Sequence, residues 1–147
     1  MINKKGFTLI EIMVAVGIVM ILSAISWAAI VSYQPAMVLS ATARDLLSDL
    51  RLAQQYAVSE QVNYGIFVST TTMQYRLDKF ATTTQTIFLK NLPSGIIFCQ
   101  TTNLVNRYVE FNPYGSVVSS GLICLSNPKG QTKDIDIKPS GFVKIKN

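Results

Sequence analysis

The 147-residue sequence contains no histidine. That absence removes Ser-His-Asp and Cys-His catalysis, and it removes most zinc sites, which rely on imidazole. Two cysteines alone do not make a metal centre. No nucleophile stands in a motif such as Gly-x-Ser-x-Gly, so catalysis has no support and no cofactor is implied. Charge is scarce as well, at 14% of residues, against roughly 25% in an ordinary globular domain. Its distribution says more than its amount. Residues 12–43 form 32 consecutive positions without Asp, Glu, Lys or Arg. Only Lys4, Lys5 and Glu11 precede that block, and charge resumes at Arg44. An apolar content of 49% excludes a disordered chain. The composition describes a membrane-type segment joined to a more ordinary domain.

From Phe7 to Val31, 20 of 25 residues are apolar, the exceptions being Thr8, Glu11, Gly17, Ser23 and Ser26. As a helix this stretch is roughly 37 Å long at about 1.5 Å per residue, enough to cross a hydrocarbon core of about 30 Å. A secretory signal has a shorter apolar run closed by a small-residue cleavage site, and this run fits neither condition. Lys4 and Lys5 ahead of it predict a cytoplasmic N-terminus with the remainder exported. Trp27 suits an interfacial anchor near the outer leaflet. Glu11 is the anomaly, because a carboxylate in hydrocarbon costs about 2.5–3.5 kcal/mol and calls for a partner or for headgroup water.

The run Lys4-Lys5-Gly6-Phe7-Thr8-Leu9-Ile10-Glu11 resembles the class III leader junction of type IV pilins and pseudopilins. The resemblance implies that a prepilin peptidase cuts between Gly6 and Phe7 and methylates the new N-terminal Phe7. Glu11 then becomes the fifth residue of the mature chain. Gly6, lacking a side chain, suits a protease that must approach the backbone closely. In a filament of such subunits, the terminal amine of one chain can neutralise Glu11 of its neighbour inside an apolar core, where an unpaired charge is costly. The implied organisation is a leader at 1–6, a transmembrane and assembly helix at 7–34, and a globular domain at 35–147. The implied location is the bacterial inner membrane, crossed once with the N-terminus cytoplasmic, and then a pilus or pseudopilus.

Beyond the apolar run, Pro35 is expected to kink or restart the helix. From Met37 to Gln61 an apolar stripe recurs at Leu39, Ala43, Leu46, Leu47, Leu50, Ala53, Ala57 and Val58, the pattern of an amphipathic helix lying on a sheet. Asp45 and Asp49, four residues apart, read as a solvated face rather than a carboxylate pair. Short β segments follow at 62–69, 74–79, 86–89, 95–99, 107–112, 116–118, 121–125, 133–138 and 142–146. Alternation is clearest where Ile135 and Ile137 interleave with Asp134, Asp136 and Lys138. Turn chemistry at 92–95, 112–115, 127–130 and 139–141 separates the runs. The expected fold is α+β: a long N-terminal helix packed on a twisted antiparallel sheet in a pilin-like roll.

The helix text Leu46 to Ala53, the Phe111–Gly115 turn and a terminal hairpin closing on Gly141 resemble the GspH/FimT subgroup of pilin-like proteins. This resemblance implies a minor pilin or pseudopilin, a non-enzymatic subunit of a type IV pilus or a type II secretion system. Its partners would be other pilin or pseudopilin subunits, the prepilin peptidase and inner-membrane lipid. Cys99 and Cys124, at the ends of expected strands in an exported domain, are either a disulfide or two buried thiols. DNA capture is the competing function. Some FimT-like proteins bind DNA through an Arg-containing motif after the terminal glycine, but here Gly141 is followed by Phe142 and Val143. The candidate phosphate contacts are therefore Lys138, Lys144 and Lys146, which supply point charge without the bidentate fork of arginine.

Overall fold

The computed structural model describes residues 6–146, so the leader before Gly6, with Lys4 and Lys5, lies outside the described residues. Contacts divide the chain into two compact units, with the division between Gln34 and Pro35. The helix α1 is nonetheless continuous from Leu9 to Glu60, with Pro35 inside it. It does not restart at the proline, which removes one donor from the ladder and leaves the neighbouring turns to hold the helix.

In the N-terminal unit every large apolar side chain described on α1 is exposed, from Leu9 through Ile18 and Ile25 to Val31. None of its most apolar stretch is buried. Such a helix is stable only where its surroundings are apolar, because exposed aliphatic surface in water is unfavourable by about 25 cal/mol per Å².

In the second unit α1 buries Leu39, Ala43, Leu46, Leu50, Ala53 and Ala57. Leu47 is half-buried, whereas Val58 lies off the stripe and is exposed. The helix ends at Gln61, which takes left-handed backbone at φ 55° and donates from Nε2 to the Val58 carbonyl at 2.7 Å.

Among the described residues eight strands follow: β1 (Asn63–Ser69), β2 (Gln74–Phe80), β3 (Thr84–Asn91), β4 (Ile97–Thr102), β5 (Tyr108–Phe111), β6 (Gly121–Ser126), β7 (Thr132–Ile137) and β8 (Val143–Lys146). The expected β segment at 116–118 contracts to a single bridge between Phe111 and Val117. The strands form two antiparallel four-stranded sheets, β3-β2-β1-β5 and β4-β6-β7-β8, where the sequence reading had one. Alternation sends Tyr64, Ile66, Val68, Leu77, Val109 and Phe111 inward from the first sheet. Phe98, Ile123, Leu125, Ile135, Ile137 and Val143 turn inward from the second, and all join one core with the helix stripe.

Three polar side chains of α1 fasten it to the sheets and to the loop after β5. Asp49, expected on a solvated face, is buried and accepts from Tyr75 Oη at 2.7 Å and from Lys90 Nζ at 2.7 and 2.9 Å. It sits beside Leu46 and Leu50, so the helical pitch carries it under β2 and β3. Burial, and then the bond to Asp49, push the Tyr75 hydroxyl well above the usual tyrosine range. Glu60 accepts from Tyr64 Oη at 2.6 Å and Lys79 Nζ at 2.5 Å, and these bonds hold its carboxyl below the ordinary value. Gln54 Nε2 donates to the Gly115 carbonyl at 2.7 Å.

The outer face of the first sheet holds a polar cluster that the sequence pattern did not reveal. Asp78 is fully buried and accepts from Tyr108 Oη and Thr86 Oγ1, each at 2.7 Å, and from Arg76 Nε at 2.8 Å. Arg76 Nη2 also donates to Tyr108 Oη at 3.0 Å, and its guanidinium lies 4.7 Å from the centre of the Phe67 ring. Burial pushes the Asp78 carboxyl up, but the bonds from Tyr108, Thr86 and Arg76 outweigh it and leave the group below its ordinary value. Its stabilising contribution is therefore complete above the unfolded-state value of about 3.9 and is lost as pH falls through the lower folded-state value. The full chain in detergent should lose stability to urea on acidification below about pH 4. Asp78→Asn should be less stable at pH 7 by about 1–3 kcal/mol and should lose less on acidification.

Two glycines close the domain. Gly115 and Gly141 both take left-handed backbone, at φ 81° and 80°. A Cβ on Gly141 would overlap the Gly115 carbonyl oxygen and approach Gln54 Nε2 to 2.5 Å. Gly141→Ala should cost at least the roughly 1–2 kcal/mol of left-handed backbone, with steric overlap added, as read by urea denaturation of the full chain.

Candidate functional site

The N-terminal junction is built for access. Gly6, Phe7 and Thr8 precede the helix and are exposed, Phe7 at 80%. A Cβ added to Gly6 would meet nothing within 4 Å, so the packing of this chain does not require glycine there. The peptide bond between Gly6 and Phe7 is thus open to an external catalyst.

Glu11 occupies the first turn of α1 and is exposed. Its Oε2 accepts from the Thr8 backbone N–H and Thr8 Oγ1, both at 3.4 Å. The Glu11 N–H in turn donates to Thr8 Oγ1 at 3.3 Å. This reciprocal arrangement is a capping box, in which two otherwise unpaired helix-terminal donors are satisfied and the carboxylate faces the positive end of the helix dipole. The signal was present as Thr8-Leu9-Ile10-Glu11, but a reading centred on Glu11 as an intramembrane charge passed over it. The carboxylate thus has weak local partners in the single chain, at distances that a closer cation could displace.

Cys99 and Cys124 are joined in a disulfide with Cα atoms 5.3 Å apart. The pairing of β4 with β6 shifts register between Phe98 and Gln100, and Cys99 is the extra residue at that bulge. The bridge therefore ties an edge strand to its neighbour. Unfolded chain alkylated without prior reduction should carry no alkyl group on either cysteine, and prior reduction should add two, as read by intact mass. Reduction should also lower stability by about 3 kcal/mol, as expected for a loop of this length.

Lys138 is exposed at the end of β7, and Lys144 and Lys146 are exposed on β8. Register places Lys144 opposite Asp136 and Lys146 opposite Asp134. The C-terminal strands thus present alternating acid and base, which offsets the positive field that a phosphate backbone would meet. Among the described residues no group of three or more His, Cys, Asp or Glu side chains is placed to hold a metal.

A family described as the prokaryotic N-terminal methylation motif matches residues 1–27. In structure the chain is similar to the type IV minor pilin FimU of Pseudomonas aeruginosa, at 13% identity and a TM-score of 0.60 over 74% of this chain and 88% of that one. It is similar also to the minor pseudopilin EpsH from the type 2 secretion system of Vibrio cholerae, at 11% identity and a TM-score of 0.62 over 74% of this chain and 95% of that one. No curated protein matches in sequence. The chain thus carries a prokaryotic N-terminal methylation motif that leads into an apolar helix, and it shares the fold of that minor pilin and that minor pseudopilin.

Proposed function

We propose that this chain is a minor pilin or pseudopilin, a structural subunit and not an enzyme. It is inserted in the inner membrane through residues 7–34, with its N-terminus cytoplasmic and residues 35–147 exported. A prepilin peptidase cleaves it after Gly6 and methylates Phe7, and it then joins other pilin or pseudopilin subunits. The observation that carries this reading is the methylation motif lying over an exposed Gly6–Phe7 junction, directly ahead of an apolar helix with no buried surface of its own.

The same helix then serves two apolar surroundings in turn, the bilayer and the interior of a filament. Glu11 changes partner between them. In the single chain it caps its own helix. In the assembly the methylated amine of a neighbouring Phe7 replaces that cap with a full positive charge, a stronger bond in an apolar interior. Similarity to one pilus protein and one secretion protein supports both settings equally. DNA capture draws no specific support from the lysines of β8, each of which faces an aspartate.

The mature chain isolated from membranes should have the mass of residues 7–147 plus one methyl group. Glu11→Ala should be inserted and cleaved as before, yet its incorporation into filaments should fall at least about tenfold, as expected when a buried charge loses its partner. Incorporation at the normal level would remove the pairing role of Glu11, while an intact leader on the unaltered chain would remove the subunit reading itself.

A further inference from the structure

On the outer face of the first sheet, Asp78, Gly65 and Glu110 form one cross-strand row, because Gly65 pairs with Asp78 on one side and with Glu110 on the other. Two rings lie over the glycine. A Cβ on Gly65 would approach Phe80 Cε2 to 2.9 Å and Tyr108 Cδ1 to 3.3 Å, so the missing side chain makes room for them. The rings contact each other edge-on at 5.4 Å between centres. Two carboxylates thus flank one aromatic pair.

Their surroundings differ in one respect. Asp78 has its own guanidinium, Arg76, which also rests against the Phe67 ring. Glu110 accepts an amide N–H from Asn63 at 2.8 Å and makes no ion pair among the described residues. A cavity of about 200 Å³ opens beside it, lined by Phe80, Tyr108, Glu110, Asn106, Ser119 and the exposed Val105 and Val118. The wall at Asn106 is strained, since Asn106 and Arg107 are successive residues in left-handed backbone at φ 53° and 63°. Backbone of this kind persists where the surroundings over-determine it, and it clusters at binding sites.

The geometry points to this cavity as an acceptor for the guanidinium of an arginine on a partner protein, with apolar residues beside that arginine resting on Val105 and Val118. The chemistry repeats what the sheet does internally with Arg76. Aromatic rings and a carboxylate both attract positive charge, and their effect grows as water is excluded. A planar guanidinium can lie against a ring while its fork donates to Glu110 and to the side-chain oxygens of Asn106 and Ser119. The Tyr108 ring is already held, because its hydroxyl donates to Asp78 and accepts from Arg76. Little ordering is therefore left to oppose binding. The site stands independently of the subunit reading, since it needs neither the leader nor the apolar helix.

The test uses the full chain in detergent micelles with methyl-labelled valine, titrated with the tripeptide acetyl-Leu-Arg-Leu-amide and with its neutral citrulline counterpart. The arginine peptide should shift the Val105 and Val118 methyl signals saturably, and the citrulline peptide should bind about tenfold more weakly. Glu110→Gln keeps an oxygen for the Asn63 amide and should preserve the fold while reducing the arginine peptide to the citrulline level. Equal binding of the two peptides, no saturable shift, or full affinity in the Glu110→Gln protein would each overturn the proposal. A lysine peptide that binds more tightly than the arginine peptide would overturn the choice of guanidinium.

Discussion

Burial of the α1 stripe from Leu39 to Ala57 governs the rest of the domain. Eighteen helical steps at about 1.5 Å make it roughly 27 Å long. A four-stranded sheet is only about 14 Å across from first strand to last, and a strand of six residues is about 20 Å long. Neither dimension of one such sheet covers the stripe. The chain answers with two sheets, and the partners of α1 change along it accordingly. Ser40, Ala43 and Arg44 lie beside Lys133 of β7 and Ile145 of β8, whereas Asp49 and Glu60 bond to the first sheet.

The composition of the stripe follows from the same requirement. Alanine at 43, 53 and 57 lets backbone approach backbone, and leucine at 39, 46 and 50 fills the wider gaps. Polar side chains at 49, 54 and 60 then fix where along the sheets the helix rests, since an apolar surface alone resists sliding poorly. Each has a partner, and no buried side-chain nitrogen or oxygen among the described residues is left without one.

The parts legible in the sequence were those set by local chemistry. Alternation at Ile135 and Ile137 and the turn at Asn127 to Gly130 placed β7 nearly to the residue, and the apolar block from residue 12 announced the exposed helix. What escaped depends on which strands meet. The split into two sheets rests on β5 returning to β1 across more than forty residues, and no periodicity encodes that pairing. The segment at 116–118 has strand-forming residues and bonds to Glu110, Asn112 and Pro139, but its ladder pairing is limited to Val117 with Phe111, so it forms a bridge. Asp49 looked solvated because a carboxylate is normally found in water, and only tertiary donors such as Tyr75 reverse that preference. At the candidate site, Gly6, Phe7 and Glu11 could be read from their order, while the capping geometry that links Thr8 to Glu11 needed the structure.

The contact of Gly141 with Gly115 and Gln54 also bears on the order in which the domain comes into being. A chain made from its N-terminus presents the α1 stripe before the β7–β8 hairpin. The apolar surface facing the second sheet stays uncovered until Ile135, Ile137 and Val143 have emerged. Gly141 sits in the turn that brings Val143 back beside Ile137. The hairpin that emerges after the stripe is therefore the one that seals it, and for that interval the helix is as adhesive beyond Pro35 as it is before it.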